Sequence, residues 1–122
     1  MISPSLHRSA HEVTEAVLSI KSQGRYLFTP DFAEWLQDNW HVWEAFERHA
    51  NRVWSRGRRH YSARTIIEVM RHESAVADNG PEYRLNNNAA PNLARLYMLL
   101  YPQAHGFFEV RTQEGSERAV AA

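Results

Sequence analysis

The chain has 122 residues, no cysteine, and 14 basic against 14 acidic side chains, for a formal net charge of zero. That length suits one domain with one hydrophobic core and is too short for two, while 43% hydrophobic residues with four Trp, five Tyr and five Phe argue against global disorder. The missing cysteine excludes disulfides, thiolate metal ligands and thiol nucleophiles, and agrees with a reducing, cytoplasmic setting.

Residues 1–8 are expected to be a disordered N-terminus, followed by a single helical domain over 9–113. Ser9-Ala10-His11-Glu12 fits a capping box, in which Ser9 accepts from the Glu12 backbone N–H and the Glu12 side chain reaches back. Val13, Ala16, Val17 and Ile20 then recur at helical spacing, and Gly24 is placed to end this first helix. Thr29-Pro30-Asp31 marks a second start, with Thr29 as cap, Pro30 in the first helical position and Asp31 complementing the dipole. Phe32, Trp35, Leu36, Trp43, Phe46, Ala50, Val53 and Trp54 continue one apolar stripe up to Gly57, which predicts a central helix of about seven turns. So aromatic a stripe suits core packing better than a coiled-coil seam or an aromatic ligand box.

Ser62 can cap a third helix carrying Ile66, Ile67, Val69 and Met70, which fades beyond Ala75. Asp78-Asn79-Gly80-Pro81 reads as a turn, and Tyr83-Arg84-Leu85 alternates like a short strand. Asn86, Asn87 and Asn88 offer caps for a fourth helix, Asn88 being best placed, with Pro91 in its first turn and Leu93, Leu96, Tyr97, Leu100 and Tyr101 as its buried stripe. Pro102 stops that helix. His105-Gly106 turns the chain into residues 107–112, where Phe108 and Val110 alternate with Glu109 and Arg111 as in a half-buried strand that could pair with the first. Residues 114–122 carry no pattern that would offset ordering entropy and are expected to be a flexible tail. The fold class is therefore mainly α, a four-helix single domain with a minor two-stranded β element.

The zero net charge conceals segregation along the chain. Residues 1–47 hold three basic side chains and seven acids, whereas residues 48–67 hold six arginines and no acid. Arginine outnumbers lysine thirteen to one, a bias that genome composition or the bidentate recognition of phosphate and carboxylate would each explain. Arg48, Arg52 and Arg56 fall at i, i+4 and i+8 and share one helical face. Arg58, Arg59 and His60 follow Gly57 in the connection, and Arg64 lies in the first turn of the next helix, where a cation opposes the dipole unless an anion is bound there. Two readings stay open: a solvated face paired with the acids of residues 31–47 or with Glu68 and Glu73, or an anion-binding patch for nucleic-acid phosphate. The candidate nucleic-acid-binding residues are Arg48, Arg52, Arg56, Arg58, Arg59, His60, Arg64 and Arg71, with the third helix facing a groove near Arg64, Glu68 and Arg71. Asn86, Asn87 and Asn88 could bond adenine, although capping accounts for them more economically.

Two helices joined ahead of Ser62 and followed by short strands resemble a helix-turn-helix or winged-helix domain, which implies DNA binding. The run 83–88, Ala94-Arg95-Leu96, Pro102 and residues 106–111 resemble small phage or prophage proteins. That resemblance covers about half the chain, conveys no activity, and implies a mobile-element accessory protein that binds DNA or a host factor. The expected function is a nucleic-acid-binding regulator, more suited to DNA than to RNA. Its rival is a non-enzymatic interaction module that meets an acidic protein through the same arginines. A homodimer serves either, the acidic first half of the long helix pairing antiparallel with the basic second half of another copy.

Catalysis and cofactors are not expected. Glu34, Asp38 and His41 would share a helical face at i, i+4 and i+7, but on the polar side where charges belong anyway. His72-Glu73 lacks a zincin's second histidine, since Val76 stands in its place. No Gly-rich phosphate loop or nucleophile elbow is present. No apolar run approaches the roughly 20 residues that span a bilayer, and residues 1–10 lack an apolar signal-peptide core, so a protein neither secreted nor membrane-spanning is expected.

Overall fold

The computed structural model describes residues 8–25, 27–76 and 89–109. Among them are five α-helices: α1 (Ala10–Ser22), α2 (Phe32–Asp38), α3 (Trp40–Ser55), α4 (Ala63–Val76) and α5 (Ala89–Leu100). A short 3-10 helix follows at Pro102–Ala104. None of these helices is long and apolar enough to cross a membrane.

Local chemistry sets most of the boundaries. Ser9 Oγ accepts from the Glu12 N–H at 3.2 Å and donates back to Glu12 Oε1 at 3.2 Å, so the capping box closes on the hydroxyl rather than on the Ser9 backbone. At the other end of α1 the Gly24 N–H reaches Lys21 O and the Arg25 N–H reaches Ile20 O, the paired bonds of a Schellman motif. Ser62 Oγ caps α4 by accepting from the Thr65 N–H at 3.2 Å. Thr29 does not cap α2. Its carbonyl accepts from Phe32 in a turn, Asp31 stands at the N-cap, and the Thr29 side chain bonds instead to α5, where Asn92 Nδ2 donates to Thr29 Oγ1 at 2.9 Å. Asn92 Oδ1 in turn accepts from the Thr29 N–H at 3.2 Å.

The single central helix expected over residues 32–56 is two helices, broken at Asn39, which raises the expected four to five. Asn39 leaves the helical region at φ −125°, ψ 35°. Its Nδ2 donates to Trp35 O at 2.9 Å, beside its own backbone N–H, which donates to the same oxygen at 2.9 Å. An asparagine amide that competes for local backbone acceptors gives the chain an alternative to continuing the helix. The apolar stripe nonetheless crosses the break, because Phe32 and Leu36 on α2 and Trp43, Phe46, Ala50 and Trp54 on α3 are all buried. The metal-like spacing of Glu34, Asp38 and His41 assumed an unbroken helix and loses its basis here.

Helix α1 packs on α2, and α3 packs on α4 and α5, with α4 also against α5. The core between them is heavily aromatic. Phe46 meets Phe108 at 5.4 Å between ring centroids, Tyr97 meets Tyr101 at 4.7 Å, and Phe107 and Phe108 lie 4.6 Å apart. Tilted and edge-on pairs at such separations add about 0.5–1.5 kcal/mol each beyond the area they bury. Leu93, Leu96, Tyr97, Leu100 and Tyr101 are buried as the stripe of α5 predicts.

No β-strand occurs among the described residues. Where a strand pair was expected there is one isolated parallel bridge, Tyr61 to Phe108, with the Tyr61 N–H donating to Phe107 O at 2.9 Å. Phe107 is buried as fully as Phe108, so strand alternation fails at once; the segment is a plug of two adjacent aromatics. It is aimed by a turn in which His105 (φ −57°, ψ 129°) precedes Gly106 (φ 82°), the type II geometry that requires positive φ at its third position. The expected turn at residues 78–81, the strand at 83–85, the asparagines 86–88, residues 110–112 and the tail 114–122 lie outside the described residues, as do residues 1–7.

Candidate nucleic-acid interface

Helix α3 carries the basic face. Arg48, Arg52 and Arg56 are all exposed, and a rise of about 1.5 Å per residue spreads them over roughly 12 Å along one side of the helix. None of the three is in an ion pair among the described residues; His49–Glu73 at 3.6 Å and Arg64–Glu68 at 3.6 Å involve other side chains. His49 is only 15% exposed, so its pair ties α3 to α4 rather than joining the basic face.

The acid closest in sequence to that face, Glu47, turns away from it. It is 7% exposed and its Oε2 accepts from the Tyr101 hydroxyl at 2.8 Å. One turn on, Asn51 Oδ1 accepts from the Tyr97 hydroxyl at 2.6 Å. Burial, then the hydrogen bond to Glu47 and its charge, push the Tyr101 hydroxyl up to about 12, against smaller opposing effects of Asn51 and Arg8. Burial, then the neighbouring Tyr101 and Glu47, raise Tyr97 as well. Arg8 closes the cluster from outside, lying 5.5 Å from the Tyr101 ring centroid and donating to Leu100 O at 3.2 Å. Helix α3 thus presents arginines outward and directs its polar acceptors, Glu47 and Asn51, toward α5.

At its C-terminus α3 closes on Gly57, whose φ of 93° is costly for any residue with a Cβ, and whose N–H bonds Trp54 O at 2.9 Å. The chain then enters residues 56–62, a connection longer than the 3–4 residues usual in a helix-turn-helix. Arg59 folds back across it. Its guanidinium carbon lies 4.0 Å from the Trp54 ring centroid, and Nη1 donates to Trp54 O and to Arg58 O, each at 3.0 Å. Arg58 lies 6.0 Å from the Tyr61 ring centroid. Arg58, Arg59, His60 and Arg64 are exposed, and Arg64 is 83% exposed at its side chain. Arg71 is half-buried on α4.

The helical face carries no ion pair among the described residues, while in the corner Arg59 is bound to backbone carbonyls and Arg64 pairs with Glu68. Sequence reasoning also missed the supports of the corner, Trp54, Tyr61 and Phe107. Trp54 meets Phe107 edge-on at 5.3 Å. The signal for Trp54 was the Trp-x-x-Gly-x-Arg order, in which a glycine reversal returns an arginine over the preceding ring.

Among the described residues, no group of three or more histidine or carboxylate side chains is placed to hold a metal ion. Comparison with protein-family models, with curated proteins and with solved structures finds no match to this chain.

Proposed function

We propose that the chain is a nucleic-acid-binding regulator or accessory protein, and that its DNA contact is the phosphate backbone, held by Arg48, Arg52 and Arg56 with Arg58, His60 and Arg64 at the adjoining corner. The observation that carries this reading is the face of α3: three exposed arginines one turn apart without acidic partners, while Glu47 beside them is committed to Tyr101. Like charges one turn apart on a helix repel, a cost that a bound anion relieves, and a spread of roughly 12 Å exceeds a single phosphate and suits a polyanion. Phosphate contacts of this kind position a protein without reading sequence. The long α3–α4 connection favours backbone contact over a recognition helix set into a groove.

Fluorescence anisotropy with labelled duplex and single-stranded oligonucleotides across a salt series tests the proposal. The logarithm of affinity should fall linearly with the logarithm of salt concentration, and the combined Arg48→Ala, Arg52→Ala, Arg56→Ala variant should lose about 2.7 from the slope on duplex, at about 0.9 per phosphate released. Undetectable binding at low ionic strength, or an unchanged slope in the variant, defeats the reading. An acidic protein recovered from nuclease-treated extract on the wild type but not on the variant would show that the same face serves a protein partner instead.

A further inference from the structure

Two consecutive arginines at the α3–α4 corner each lie over an aromatic ring, and the rings are themselves fixed. Trp54 is 8% exposed and braced edge-on by Phe107, and the Tyr61 backbone is bonded to Phe107 O. Arg59 is the more firmly held. Its guanidinium carbon sits over the Trp54 ring while Nη1 donates to the Trp54 and Arg58 carbonyls, so the group is held at three points. The residue is still exposed.

A guanidinium held over a ring and by two carbonyls, on a residue that is still exposed, does more than a charge requires. A phosphate contact is made as well by a mobile arginine, and capping the end of α3 needs the carbonyl bonds without the ring. Unpaired nucleobases, in contrast, stack on arginine planes as they do on aromatic rings, and a plane that is already immobilised loses little entropy on binding. We infer that the corner is a stacking platform for an unpaired base of single-stranded nucleic acid, with Arg59 on Trp54 as the platform, Arg58 on Tyr61 as its neighbour, and the arginine face of α3 following the strand's phosphates. The site depends on the nucleic-acid reading proposed above. It sets the preferred form of that ligand: a duplex offers phosphates to the face of α3 but keeps its bases stacked on one another.

The test compares three labelled ligands at low salt: a single strand, a strand of equal length carrying consecutive abasic sites so that its phosphates remain, and a duplex. The wild type should bind the base-bearing strand about tenfold tighter than the abasic one, the worth of one stacked base. Arg59→Lys keeps the charge and removes the plane, so it should abolish that preference while leaving abasic-strand affinity within about twofold, with a circular dichroism melt showing that the variant is folded. Equal wild-type affinity for base-bearing and abasic strands overturns the platform and leaves the backbone reading intact, and this comparison needs no variant. A preference that survives in Arg59→Lys also overturns it. Failure of all three ligands to bind removes the nucleic-acid reading and the platform together.

Discussion

Two tyrosine hydroxyls, one on α5 and the other just past its end, make bonds that look alike and should differ in worth. Tyr101 donates to a carboxylate oxygen of buried Glu47, whereas Tyr97 donates to the amide oxygen of half-buried Asn51. Removing the Tyr101 hydroxyl deprives a carboxylate that is 7% exposed of a partner that water cannot readily replace. Hydrogen bonds to charged groups contribute about 1.5–3 kcal/mol and neutral ones about 0.5–1.5 kcal/mol. Tyr101→Phe is therefore expected to lower stability by about 2 kcal/mol and Tyr97→Phe by about 1 kcal/mol. For a domain of this size that is a fall in Tm of about 8 °C against about 4 °C. Urea unfolding followed by far-ultraviolet circular dichroism measures both, given an unchanged m value. A double-mutant cycle with Glu47→Gln should assign most of the Tyr101 loss to the pair. A Tyr97→Phe cost equal to or above that of Tyr101→Phe would refute the reasoning, because it would mean that the Glu47 carboxylate is no more dependent on its donor than a neutral amide.

The same cluster fixes an alkaline limit. An unfolded tyrosine titrates near 10, and Tyr101 is held up to about 12 in the fold, with Tyr97 raised too. A raised folded pKa gives stability that is complete below the unfolded value and lost as pH climbs through the folded one. Thermal midpoints should accordingly fall between about pH 10 and 12, and fall less in the Tyr97→Phe, Tyr101→Phe double variant; equal falls in both proteins would contradict this. Gly57→Ala meets no atom within 4 Å of its new Cβ, so its cost is confined to the backbone at φ 93°. The expected loss is about 1–2 kcal/mol in urea unfolding, and a neutral result would show that the end of α3 can relax.

What could be read from the sequence depended on how local the physics was. The α5 stripe, the Ser9 and Ser62 caps and the turn at Gly106 each rest on neighbours within a few residues, and each stands as the sequence predicts. The break at Asn39 was hidden because the hydrophobic stripe runs across it, and only the amide's competition for Trp35 O reveals it. Thr29 misled in the same way: its cap chemistry is real, but Asn92, sixty-three positions away, is the stronger claimant. At the candidate interface the period of Arg48, Arg52 and Arg56 was plain. That Glu47 faces inward was not, since its partner is 54 positions distant. Arg59 looked like one more mobile cation, and its attachment to Trp54 depends on how sharply Gly57 reverses the chain.

The bond from the Tyr61 N–H to Phe107 O joins points 46 residues apart and gives the two halves of the basic region different histories. The three arginines of α3 need only a helix, which forms from contacts within a turn and can appear as soon as that stretch of chain exists. The corner is complete only when the C-terminal aromatics have arrived and closed a long loop, an event that loop entropy places late. On that order of contacts, hydrogen exchange should show the Tyr61 amide opening before the amides within α3.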